Sequence, residues 1–243
     1  MEIPLASEKL FSLGPLPITN TMFTSWIVAA LLIGFAYVST KKIALVPTGL
    51  QNVAEFMVES FQNLVASIAP EKADAFFPIV GSFFFFIIFG NYIGLLPGFG
   101  TIGFWHMEAG QRVFIPLLRS MNSDLNNTVA LALVSVITTH YFAIKYLGLF
   151  HYIKKFFSFH PIYLFVGVLE LFGEITKIFS LSFRLFGNIF AGEVLLTTAS
   201  TKLFAFLIPI PFYFLEILVG FVQALIFAML TLVFMVILTS KEH

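Results

Sequence analysis

The sequence predicts an all-α integral membrane protein, with about five membrane-passing helices, one amphipathic surface helix, and a final pair of long spans forming a hairpin. Three observations predict it. Of 243 residues, 59% are hydrophobic and only 11% charged, whereas soluble domains run near 25% charged. The apolar residues gather into runs long enough to cross about 30 Å of hydrocarbon as helices. Lysines also cluster repeatedly on one side of the resulting path, as cytoplasmic segments do.

Residues 1–21 read as an external N-terminal segment. They have no basic n-region, carry Glu2 and Glu8, and show no apolar run before Met22. Nor are they Arg-rich and acid-poor, so neither a cleavable signal nor a transit peptide is expected, and the spans themselves direct insertion. The first span, 22–40, exits at Lys41 and Lys42. In 48–68, Leu50, Val53, Met57, Phe61 and Leu64 recur at helical spacing, while Gln51, Glu55, Glu59 and Gln62 take other faces. That pattern is too polar to span and predicts an amphipathic helix on the cytoplasmic surface. Residues 76–96 and 128–147 form a helical pair of spans, separated by an external loop that starts at Pro97-Gly98. After the second of the pair, KYLGLFHYIKKFFSFH places Lys145, Lys154 and Lys155 inside. The two long apolar stretches, 163–207 and 212–239, are parted by the IPIP at 208–211. Five passages from an outside N-terminus leave the C-terminal SKEH inside, so parity and the lysine bias agree. Arg112 and Arg119 of the external loop are discordant, offset in part by Glu108 and Asp124. The whole of 1–243 reads as a single membrane domain.

Composition narrows the function. A formal net charge of +0 argues against nucleic-acid binding, which needs clustered Lys and Arg. No cysteine is present, so disulfides, thiolate metal sites and Cys nucleophiles are excluded. His106, His140, His151, His160 and His243 are scattered, none at metal-ligand spacing. No Gly-rich phosphate loop, Walker motif or Ser-His-Asp arrangement occurs. Neither a cofactor nor a metal is expected, and the chain is not expected to be an enzyme by itself.

The polar residues that remain are concentrated in ELFGEITKIFSLSFRLFGN, 170–188. At about 100° per residue, Glu170, Lys177, Ser180 and Asn188 fall within about 40° of Arg184, a polar line along one side of an apolar helix. Glu174 stands three residues before Lys177 and is placed to pair with it, a pair that can serve simply to pin two helices. Glu193 lies on roughly the opposite face, about 13 Å further along the axis. Glu216, Gly220 and Gln223 share a face of the last span. An antiparallel hairpin brings Glu193 toward Glu216 and sets Arg184 and Asn188 near the level of Gln223. An intramembrane arginine costs about 3 to over 10 kcal/mol, and no acidic residue lies one helical turn from Arg184. Its counter-ion must come from another element, another subunit or a transient partner.

RLFGNIFAGE at 184–193 resembles the signature of subunit a of F-type ATP synthases. Glu170, Lys177 and Ser180 stand at that family's spacing before the arginine. FVQALIFAMLTLVF carries its glutamine at Gln223, GNYIGLLPG at 90–98 has its Asn-then-Leu-Pro pattern, and DLNNT at 124–128 resembles its D-x-N-x-T. The terminal EH also recurs in relatives. The resemblance implies a non-catalytic subunit that translocates protons through two half-channels against a rotating ring of c subunits; with no transit peptide expected, a bacterial plasma membrane is the expected location. Its other implied partners are the b-subunit peripheral stalk, further ATP synthase subunits and membrane lipid. It implies that the last two helices lie tilted along the ring and that Arg184 is the gate. The implied proton pathway comprises Glu193, Glu216, Gln223, Asn188, Ser180, Lys177, Glu170, Asp124 and Asn126. Some relatives carry histidine at the position of Glu216, so the relay here would run from carboxylate to carboxylate. A Na⁺-translocating version and a stand-alone transporter are the competing readings; the latter predicts inverted repeats, and none is found.

Overall fold

In a computed structural model of the chain, residues 7–96, 98–108, 111–156, 161–202 and 209–240 are described. Pro97, the 203–207 end of the predicted long span, Ile208 of the proline turn and residues 241–243 of the C-terminal segment fall outside them. So do residues 157–160 of the basic connection and the side chains of Glu108, Arg112, Lys154 and Lys155.

A short hairpin, β1 (Lys9–Leu13) and β2 (Leu16–Thr19), opens the chain and turns at Gly14, whose φ of 64° suits glycine. It runs directly into α1 (Asn20–Thr40), where the Thr19 hydroxyl accepts from the Met22 amide. Next come α2 (Leu50–Ile68) and α3 (Ala73–Gly94), then a second hairpin of β3 (Gly103–Glu108) and β4 (Gln111–Pro116). The remaining helices are α4 (Leu125–Leu147), α5 (Leu149–Phe156), α6 (Pro161–Lys202) and α7 (Pro209–Thr239). Among them α1, α3, α4, α6 and α7 are long and apolar enough to cross a membrane. The predicted external loop therefore carries structure of its own. Trp105 and Phe114, paired across β3 and β4 with ring centroids 5.3 Å apart, supply a cross-strand aromatic contact. The basic connection likewise holds the unanticipated helix α5.

The centre is built by α7 against α3, α4 and α6. On α6 the one-face triplet Leu181, Leu185 and Ile189 enters the same buried cluster as Ala224, Phe227, Ala228 and Leu232 of α7. The small Ala224 and Ala228 allow the close backbone approach typical of membrane helix pairs. Lys177 lies 4.4 Å above the Phe234 ring, and Glu216 sits on Gly192, so α6 and α7 are antiparallel. Asn91 with Gly220 and Lys72 with Thr239 show the same orientation for α3 and α7. Ser135 and Thr231 hydroxyls, 2.7 Å apart, tie α4 to α7; such bonds contribute about 0.6 kcal/mol, at most about 2, in a bilayer. On α2, Phe61 stacks on Phe84 at 4.4 Å, while the predicted stripe residues Leu50, Val53 and Leu64 stay exposed. The 42 residues of α6 extend about 63 Å, twice the hydrocarbon thickness, a length that an inclined path accommodates.

Candidate functional site

Two faces of α6 carry different chemistry. Its inner face takes Leu181, Leu185 and Ile189 into the core, and Ser180, Arg184 and Asn188 form the row beside it, each about 100° round the helix from the buried residue that follows. Arg184, Ser180 and Asn188 are exposed, with Arg184 Nη2 donating to Ser180 Oγ at 3.3 Å. Beside them along α6, Phe179 and Phe183 are exposed and stack with ring centroids 6.1 Å apart. Among the described residues no carboxylate lies within ion-pair distance of Arg184. A Cβ on Gly187 would meet nothing within 4 Å, so this outward surface is also smooth. Here, then, is a cation at mid-helix on an apolar, outward-looking face.

Nine residues on, α6 presents Glu193 to the other side. It faces a cavity of about 200 Å³ walled by Asn91, Arg119, Ser120, Tyr213 and Glu216, roomy enough for several waters. Glu216 is only 4% exposed, and a Cβ built on Gly192 would collide with its carboxylate. Glycine at 192 is what lets the second carboxylate reach the first. Arg119 Nε lies 3.5 Å from Glu193 Oε1, with the arginine buried. Behind the cavity the Asn91 amide donates to the Gly220 carbonyl at 2.9 Å and accepts from Asn122 at 2.7 Å, fixing α3 to α7 at Gly220.

The sequence-predicted residues thus separate into groups. Glu193 and Glu216 share the cavity, and Ser180, Arg184 and Asn188 share the outer face. Gln223 is buried on α7, near the level of Arg184. Asp124 and Asn126 form a helix cap: Asp124 accepts from the Asn126 amide at 2.9 Å and from the Thr21 hydroxyl at 2.7 Å. Lys177 donates to Glu174 at 2.7 Å, as their spacing predicts, and Glu170 is half-buried one turn before Glu174. Sequence reasoning missed Arg119 as a site residue, although its violation of the lysine bias was a visible signal. It also passed over Asn91, Tyr213 and His140; a histidine inside an apolar span was the available cue for the last.

The sequence profile of the ATP synthase A chain family matches residues 22–236. The chain belongs to the ATP synthase subunit a family. It is similar to ATP synthase subunit a of Gloeobacter violaceus, 37% identical over 94% of this chain and 87% of that protein. Subunit a of Moorella thermoacetica is 33% identical over 93% of each chain. ATP synthase subunit a 2 of a Bradyrhizobium species is 35% identical over 95% of this chain and 93% of its own length. Membership makes the chain a multi-pass membrane component of an F-type ATP synthase, whose partners include other subunits of that complex. The stretch RLFGNIFAGE at 184–193 carries both the exposed arginine and Glu193, whose cavity joins α6 to α7.

Proposed function

We propose that the chain is the proton-translocating stator subunit of the F-type ATP synthase membrane sector. It couples ion flow to rotation of a c-subunit ring and so to ATP synthesis, without catalysing chemistry itself. One observation carries the reading: Arg184 stands exposed on an apolar face of a membrane-length helix, with no carboxylate beside it among the described residues. Isolated there it would cost about 3 kcal/mol or more, so a partner anion must meet it inside the bilayer. A ring of helices each bearing one buried carboxylate supplies that anion repeatedly and transiently. Arginine cannot deprotonate at any accessible pH, so Arg184 attracts each carboxylate in its ionised form and blocks direct passage of protons. Asn188 and Ser180 orient the guanidinium, and Gln223 adds a neutral polar group at its level. The cavity of Glu193 and Glu216 is the titratable half-channel on the side of the β-hairpins, where Asp124 and Asn126 contribute by holding the first turn of α4. Lys177 and Glu170 belong to the opposite half-channel, and a bacterial plasma membrane with a b-subunit stalk completes the setting.

The chain has no cysteine, so single introduced cysteines are unique probes. Asn188→Cys is expected to cross-link to a cysteine placed beside the ring carboxylate, whereas Leu185→Cys, on the buried face, is not. Cross-linking from position 185 alone would overturn the assignment of the ring-facing side.

A further inference from the structure

At the far end of α6 from the cavity lies a second titratable cluster. Glu174 is only 7% exposed, and it meets two polar side chains. Lys177 Nζ is 2.7 Å from its Oε1, and His140 Nε2 of α4 is 3.5 Å from its Oε2. The other imidazole nitrogen, Nδ1, is 2.6 Å from the Tyr152 hydroxyl of α5. Tyr152 is half-buried, on a helix outside the five membrane-length ones. Glu174 therefore connects, through one imidazole and one phenol, to the end of the bundle where α5 sits. The spacing along α6 is informative: Glu174 precedes Arg184 by ten residues and Glu193 follows it by nine, about 15 and 13.5 Å at 1.5 Å per residue. The two carboxylates flank the arginine almost symmetrically, about 28 Å apart along the helix axis.

We propose that Glu174, His140 and Tyr152 are the proton relay of the half-channel on the α5 side of Arg184. This rests on the stator reading above. The geometry suits a relay better than a pin. A pin needs only the Glu174–Lys177 pair, whereas His140 uses both ring nitrogens to join two groups that would otherwise not communicate. In the outward direction a proton on Glu174 passes to Nε2, the imidazolium releases its Nδ1 proton to the Tyr152 oxygen, and the phenol gives its own proton to water. One proton enters and one leaves, and tautomer exchange of the imidazole resets the chain. Burial, with the charges of Glu174 and Glu170 nearby, pushes the Tyr152 hydroxyl up to about 12. It therefore serves as a neutral donor and acceptor and not as a phenolate. Among the described residues, the charged or titratable groups facing His140 are Glu174 and Lys177 of α6 and Tyr152 of α5, with Glu170 acting on Tyr152.

The test is passive proton conduction by membrane vesicles carrying the complete membrane sector. His140→Ala is expected to lower the conduction rate by about tenfold or more, the scale of a lost acid–base group. Imidazole added to the buffer is expected to restore part of it. Restoration separates a relay from a packing residue, because a small diffusible base cannot re-pin two helices. Tyr152→Phe, which keeps the ring and loses the hydroxyl, is expected to slow conduction at high pH on the α5 side. If His140→Ala fails to assemble, His140→Gln decides, since it fills the site without a titratable proton: slowed conduction supports the relay and wild-type conduction overturns it. Slowed conduction in His140→Ala that imidazole leaves unchanged also overturns it. Wild-type vesicles that conduct no protons would refute the stator reading itself, whereas conducting wild type alongside equally conducting His140 variants refutes only the relay.

Discussion

Removing the Arg119 side chain is the sharpest perturbation of the cavity. Its guanidinium is 5% exposed and lies 3.5 Å from Glu193, whose side chain is 27% exposed. Arg119→Met keeps the apolar stem but strands Glu193 beside a second carboxylate, Glu216, in the same cavity. Breaking a fully buried ion pair from one side costs about 3–5 kcal/mol. Because Glu193 is more than a quarter exposed to a space that admits water, about 1–3 kcal/mol is the appropriate range here. Most of that penalty is the unpaired carboxylate and not the lost attraction, so a double-mutant cycle distinguishes the two. Glu193→Gln in the Arg119→Met background is expected to recover much of the loss, with a coupling of about 1–3 kcal/mol between the sites. Thermal dissociation of the purified membrane sector reads it out, with Arg119→Met lowering the midpoint and the double variant raising it again. Strictly additive effects would refute the claim that Arg119 holds Glu193.

Gly192→Ala forces a methyl into the Glu216 carboxylate, so it is expected to cost about 1–3 kcal/mol as overpacking and to slow proton conduction. Gly187→Ala, with open space at its Cβ, is expected to leave the fold intact. Asn91→Leu removes the acceptor for the Asn122 amide and a second donor to the Gly220 carbonyl, which keeps its bond within α7, so one buried amide is left unmatched. A loss of about 1–3 kcal/mol per unmatched group, seen as a lower dissociation temperature, is expected.

The long α6 and its two chemistries were legible because helical periodicity is a purely local property. A 100° step per residue places Arg184 with Ser180 and Asn188 and sets Glu193 opposite, and the structure keeps that division. The five spans were legible for the same reason, their apolar runs being contiguous. Contacts between distant segments were not. Arg119 meets Glu193 across a long stretch of chain, and no local pattern links them; only the arginine's misfit to the lysine bias marked it. His140 joins Tyr152 and Glu174 from three different helices, so its role emerges only when those helices are packed. The β3–β4 hairpin escaped because its polar length resembled a loop, although Trp105 and Phe114 were already spaced for a cross-strand pair. On α2 the apolar stripe was read correctly as a pattern but not as burial. A helix beside a bilayer can leave Leu50, Val53 and Leu64 facing lipid, so periodicity alone does not name what covers a face.

Everything turns on whether Arg184 is a gate. ATP-driven proton pumping and passive proton leak, measured in the same inverted membrane vesicles carrying Arg184→Ala, test this most directly. Pumping is expected to be lost while passive leak between the two half-channels rises. Retained ATP-driven pumping with wild-type tightness would contradict it.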